Sequence, residues 1–486
     1  MTSRVPARVI VGVAPDLVGM SHLADQLEAE AFLPGTRALD HAVAAAAQDD
    51  DPRPLAVVLP MTSPRLIVRA LRNPDVDRLA VYHWPGSRPG AALQVALRAV
   101  LSFVDLVITP EDPASAVRLG ADPDRVALCS EDVLTRLVNE PRRTETSPAK
   151  IEALASVALD AAQLTGALRL AELVAPDRGV NVVNYHRILP IDEHRSYGRP
   201  QMALPAPVFE AQLAMFERNR GFAPLTDVRD AQQRDRVAIT FDDGYEDNFR
   251  VALPLLQRFG APACIFVVTG LIDQDEELWW DAVGRALFEY WRAGATQPLP
   301  EVLRAHAAGL ERTRSEGEAQ QIITDALSAL NDVDQDTRDA AIAAAAALTA
   351  TPPRRTMMTW DEVSRMNDAG VDFGSHTRSH VCLDEVPEAQ ALDELFGAQS
   401  DLEAKVPDAH KITALPRGKL GPLNERQLDE AFDAVMTTEA GVNSSTDDSL
   451  FVKRRDGKML TLRGRHHPAK LRLELTGLLD RLRALR

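Results

Sequence analysis

The sequence predicts an α/β protein of two or three domains, and three observations carry that reading. The chain has 486 residues, more than one hydrophobic core usually serves. From Arg8 to Ser130, apolar runs of strand length alternate with stretches of helical periodicity, the pattern of a parallel sheet covered by helices. Further on, apolar runs end in the adjacent carboxylates Asp242 and Asp243 and in the pair His376 and His380, as strands do when they deliver side chains to a rim.

In the first part the strand runs are Val9–Ala14, Leu55–Leu59, Leu79–His83, Leu106–Thr109 and Val126–Cys129, with helical periodicity in Pro89–Phe103. Ligands of such sheets bind at the carboxyl ends of the strands. Here those ends carry Pro15, Pro60, Trp84 and Pro110, with no glycine-rich phosphate fingerprint. His22 and His83 stand singly and read as packing or surface residues. The polar, proline-bounded stretch Glu140–Pro148 reads as a linker, which puts a Rossmann-like domain at residues 1–145 and a second domain at 150–486. Ile151–Val174, an alanine- and leucine-rich helix broken at Asp160 and Gly166, belongs to the second.

There NVVNYHRI reads as the first strand, with His186 and Arg187 near its end; His186 either approaches the pocket or holds loops by hydrogen bonds. Val237–Asn248, VAITFDDGYEDN, is a strand that stops at Asp242, Asp243 and Gly244. Two neighbouring aspartates serve one pocket only where the backbone turns, and Gly244 permits that turn; an Asp-Gly turn closing a hairpin is the plainer alternative. Asp247–Phe259 is helical and Ala263–Val268 is the next strand. A helical insertion occupies about residues 271–356. Its Trp279 and Trp280 read as aromatic packing on the second domain or as a cap that stacks on a bound ring. GSHTRSH, after Val371–Phe373, puts two imidazoles four residues apart. One carboxylate and two imidazoles leave coordination positions open, the composition of a catalytic metal site.

TFDDG (Thr240–Gly244) followed by HTRSH (His376–His380) resembles the first two motifs of the polysaccharide deacetylase family, the NodB-homology carbohydrate esterases. NYHRI, PAPVFEAQLAMF, MTWDEV and TTEAGVN look like the flanks of members acting on exopolysaccharides, and together they cover about Ala153–Arg465. The resemblance implies a distorted (β/α)7 barrel with its site at the C-terminal ends of the strands. It implies Asp242 as general base and Asp243, His376 and His380 as ligands of a divalent ion, most simply Zn²⁺. It implies substrate contacts from Tyr245, Pro416 and Arg417, and an oxyanion held by a backbone N–H of the KITALPRGKLG loop, where Leu415 and Arg417 replace the family's aromatic residues. The family's last motif supplies a histidine acid, for which RHHP offers His466. Upstream, Val104–Ser130 is similar to the end of the N-terminal half of GT-B glycosyltransferases; a glycosyltransferase-like remnant or binding module and an unrelated Rossmann-like domain both fit.

A formal net charge of −17 argues against nucleic acid and anionic membranes as partners. Cys129, Cys264 and Cys382 lie in apolar contexts with no paired spacing and read as core thiols of a reducing compartment. With no secretory signal pattern at the start and no run of about 18 apolar residues, the sequence-based expectation is a cytoplasmic protein. Its expected activity is metal-dependent removal of N-acetyl groups from an amino sugar of a polysaccharide, oligosaccharide or glycolipid. A formamido-sugar deformylase and a glycan-binding pseudoenzyme are the alternatives.

Overall fold

The structure, a computed structural model, describes residues 179–484 apart from 276, 296, 315, 350–353, 445, 447–448 and 463; before residue 179 it describes six strands, helical positions within 155–174, and residues 39, 114 and 117. The chain forms two compact units, one of Met1–Gly166 with Thr313–Ala319 and Leu462–Ala469, the other of Ala167–Arg312, Gln320–Thr461 and Lys470–Arg486. Pro89–Phe103, Glu140–Pro148, His22, His83 and Cys129 lie outside the described residues.

The first unit holds a sheet in the order β2-β1-β3-β4-β5-β6, from β1 (Arg8–Gly12), β2 (Glu30–Phe32), β3 (Leu55–Pro60), β4 (Arg78–Tyr82), β5 (Leu106–Thr109) and β6 (Val126–Leu128). Every pairing is parallel. Consecutive residues such as Val57, Val58 and Leu59 are fully buried, as expected of a parallel sheet covered on both faces. β2 was not legible, since its three residues, Glu-Ala-Phe, form no apolar run.

The second unit is built on a parallel sheet of eight strands, β15-β14-β13-β12-β11-β10-β7-β16. In chain order these are β7 (Asn181–Tyr185), β10 (Val237–Phe241), β11 (Ala263–Val267), β12 (Asp372–Ser375), β13 (Ile412–Ala414), β14 (Ala434–Met436), β15 (Phe451–Val452) and β16 (Arg454–Asp456). The short strands β8 (Arg187–Leu189) and β9 (Ala203–Pro205) pair with each other apart from it. The two ends of the sheet, β15 and β16, are separated by Lys453 alone, so the chain itself carries one edge into the other. β15 and β16 act as one strand bent at that residue, and the barrel has the seven-strand form expected from the motifs.

Strand alternation sorts the barrel's side chains. Val182, Ala238, Cys264, Phe266, Ile412, Ala414, Ala434, Met436 and Val452 share one buried cluster, all at even positions, so residues of that parity face inward. Gly374 lies in that register, where a Cβ would meet the Ile412 carbonyl oxygen at 2.7 Å and the Phe266 ring at 2.7 Å. The insertion supplies helices α1 (Trp279–Arg292), α2 (Glu316–Asn331) and α3 (Gln335–Ala346). After β12, helix α4 (Glu388–Lys405) packs back against that strand.

Candidate active site

The inward parity that fills the barrel also builds the site. Asn184 on β7 and Thr240 on β10 face inward; continuing two residues beyond Thr240 and Gly374 gives Asp242 and His376. Past β10 the backbone reverses through Asp243 (φ 75°) and Gly244 (φ 87°). A side chain at Gly244 would also crowd Val267 Cγ1 at 3.0 Å, so glycine is what allows both aspartates to turn toward one point.

Asp243, His376 and His380 converge, with one donor atom from each lying within 4.8 Å of the other two. Asp243 Oδ1 is 3.5 Å from His376 Nε2 and 3.3 Å from His380 Nε2. Its carboxylate is fully enclosed, and neither oxygen has a hydrogen-bond partner. An enclosed carboxylate without hydrogen bonds is costly unless a cation completes it. Together with the carboxylate–imidazole donor set, it fits a divalent metal. The His376 Nδ1–H donates to the Ala414 carbonyl at 2.7 Å, which directs Nε2 toward Asp243.

Asp242 is held differently. Arg454 on β16 donates to its Oδ1 at 2.6 Å, and Asn184 Nδ2 donates to Oδ2 at 2.9 Å. Asn184 Oδ1 in turn accepts from the Thr240 hydroxyl at 2.8 Å and from Arg454 at 3.1 Å. Burial opposes ionisation of Asp242, yet the Arg454 guanidinium outweighs it and lowers the pKa. The sequence reading missed Arg454 because VKRRD looks like an exposed basic run. Strand alternation from Val452 is the signal that finds it: Arg454 turns inward, and Arg455 outward to Asp480 at 2.7 Å.

The loop Thr377–His380 carries positive φ at Thr377 (62°) and His380 (60°). Glu394 on α4, also missed, holds it in place. Its Oε2 accepts the backbone N–H of Arg378 and of Ser379, each at 2.9 Å, and its Oε1 accepts the Ser379 hydroxyl at 2.7 Å. A buried Glu on an amphipathic helix leaves little trace in a sequence.

Asn184, Asp242, His376, His380 and Arg454 line a cavity of about 1250 Å³, together with His186, Trp279, Trp280, Arg338, Glu385 and Arg417 among others. His186 Nε2 stands 4.0 Å from Asp242 Oδ2. Arg417, at φ 57°, lines the cavity and pairs with Glu385 at 3.1 Å. Three expectations sit elsewhere. Tyr245, expected to touch substrate, is fully buried away from the lining, its hydroxyl donating to Asp281 Oδ2 at 2.7 Å. Pro416 is buried and does not line the cavity, although Leu415 and Arg417 beside it do. His466 is buried in the segment Leu462–Ala469, which clusters with the first unit, and is not a lining residue. Cys382 is half-buried at the cavity and not a core thiol; Cys264 is buried.

The carboxylate–imidazole cluster and the arginine-tethered carboxylate lie together at the C-terminal ends of the barrel strands, the end at which barrel sites are built. A family model described as polysaccharide deacetylase matches residues 229–310 and 331–436. The C-terminal region is therefore a polysaccharide deacetylase domain, which places the protein among hydrolases of carbon–nitrogen bonds other than peptide bonds. Solved structures similar to the chain include the Streptococcus pyogenes deacetylase PplD in complex with acetate, at 16% identity and TM-score 0.36, covering 57% of this chain and 92% of that one. IcaB from Ammonifex degensii is similar at 17% identity and TM-score 0.38, covering 61% and 97%. A de-N-acetylase from Aggregatibacter actinomycetemcomitans is similar at 14% identity and TM-score 0.35, covering 57% and 93%. No curated protein matches the sequence. No helix among the described residues is long and apolar enough to cross a membrane.

Proposed function

We propose that the protein removes N-acetyl groups from an amino sugar of a glycan, with Asp243, His376 and His380 holding a divalent cation, Zn²⁺ by the donor set. The observation that carries this reading is the enclosed Asp243 carboxylate, which faces two imidazoles and has no hydrogen bond, inside a polysaccharide deacetylase domain. Bound there, the cation supplies Lewis acidity toward water and the amide carbonyl.

Asp242 takes the proton of the attacking water. Arg454 keeps it ionised across the neutral range, and with Arg454 on Oδ1 and Asn184 on Oδ2 the carboxylate is fixed while each oxygen keeps a lone pair to accept the proton. The low pKa makes it a weak base, so its contribution rests on fixed geometry. As the C–N bond breaks, the leaving amine needs a proton. Cavity lining and proximity to Asp242 favour His186 as its donor over His466.

The decisive experiment measures metal content of the purified chain together with acetate released from N-acetylated oligosaccharides. Stoichiometric metal with chelator-sensitive acetate release supports the proposal. Formate released from formamido sugars in place of acetate would indicate the deformylase, and glycan binding without acyl release the pseudoenzyme.

A further inference from the structure

His376 and His380 are oriented by different means. The first has the Ala414 carbonyl behind its Nδ1. Among the described residues the His380 ring has no hydrogen-bonded support of that kind. Its Nε2 faces Asp243, and its ring makes T-shaped contacts with His376, at 4.9 Å and 79° between planes, and with Trp280, at 4.8 Å and 73°. A ligand histidine on a loop residue at positive φ, without a hydrogen bond behind it, needs another constraint on its side-chain torsions.

Trp280 is itself firmly fixed. It is 5% exposed; its indole N–H donates to the Tyr245 hydroxyl at 3.1 Å, and that hydroxyl donates to Asp281 Oδ2 at 2.7 Å. Asp281 also accepts from the Tyr197 hydroxyl, and the Arg187 guanidinium lies over the rings of Tyr245 and Tyr197 at 4.5 and 4.8 Å. Tyr245 immediately follows the Asp242-Asp243-Gly244 turn. The turn that delivers Asp243 thus also anchors the indole that walls His380.

We propose that Trp280 is a positioning residue for the His380 imidazole, constraining through a T-shaped ring contact a ligand that has no carbonyl behind it. The helical insertion then contributes to the metal centre without supplying a ligand. This rests on the metal reading given above.

The test is competition of the full-length apo-protein with a chelating indicator for Zn²⁺, together with the absorption spectrum of the Co²⁺-loaded chain. Trp280→Ala should lower metal affinity on the order of 10- to 100-fold and change the Co²⁺ bands, while Trp280→Phe, which keeps an aromatic ring, should recover most of both. Trp280→Leu retains bulk without the ring and serves if the alanine variant does not fold; it should behave like it. Wild-type affinity and an unchanged Co²⁺ spectrum in the folded alanine or leucine variant would overturn the proposal, including the case where only KM rises and Trp280 is a substrate contact. His380→Ala is the control: if the wild type binds no metal, or His380→Ala binds as tightly, the metal reading fails and the positioning role fails with it. Loss in His380→Ala but not in Trp280→Ala or Trp280→Leu sinks the positioning role alone.

Discussion

Asp242 and Asp243 are neighbours in sequence with opposite electrostatic partners, one a guanidinium and the other two imidazoles. Asp242→Asn should leave metal binding nearly intact while slowing turnover by ~10² to 10⁴-fold, the usual size of a general-base contribution. Asp243→Asn should weaken metal affinity, since a neutral amide oxygen is the poorer ligand, and excess metal should partly restore only this variant. Metal content and rate across a metal titration check both. Arg454→Met tests the tether. Arg454 lowers the Asp242 pKa, so removing it raises that pKa and moves the acid limb of the kcat/KM profile to higher pH. The stability that Asp242 contributes through this pair is present above its unfolded pKa and lost as pH falls through the lower folded value. Leaving the buried carboxylate without its cation should also cost about 3–5 kcal/mol, read from denaturant unfolding at neutral pH.

Between residue and barrel stand the elements that aim these groups, and here sequence and structure part company in an instructive way. Strands ending in Asp-Asp-Gly and leading into His-Thr-Arg-Ser-His were legible because each motif begins within three residues of an apolar run. Arg454 and Glu394 were not, because each acts across a distance the sequence does not display: Arg454 lies 212 positions from Asp242, and Glu394 lies 15 from Ser379. Tyr245, expected from its place beside the turn to touch substrate, is buried and does not line the cavity, because adjacency in sequence does not fix which way a side chain leaves a turn. Glu394→Ala should leave the Arg378 and Ser379 N–H groups without their acceptor, costing about 1–3 kcal/mol. It should also lower metal affinity with all three ligands intact, which thermal melts and a metal titration would record.

At the scale of the whole molecule, the fold classes of both sheets followed from apolar runs, while the seven-strand closure came only with family resemblance. Strands as short as Phe451–Val452 and Ile412–Ala414 carry too few residues to show a period. Metal added to the apo-chain should raise the melting temperature of the transition that includes the barrel, because the cation binds the assembled trio and not the unfolded chain; a chelator should reverse the shift. Calorimetry with and without chelator gives the measurement.

The single residue that separates β15 from β16 has a consequence for the order in which the protein is made. Arg454 meets Asn184, which left the ribosome 270 positions earlier, in the same step that lets the last strand lie against the first. A nascent chain that has every metal ligand and both aspartates still lacks the cation that tethers Asp242 and the strand that shuts the cylinder. Such long-range pairing is slow to form. On the proposed mechanism, chains terminated before residue 454 should release no acetate, which an assay of such truncations checks.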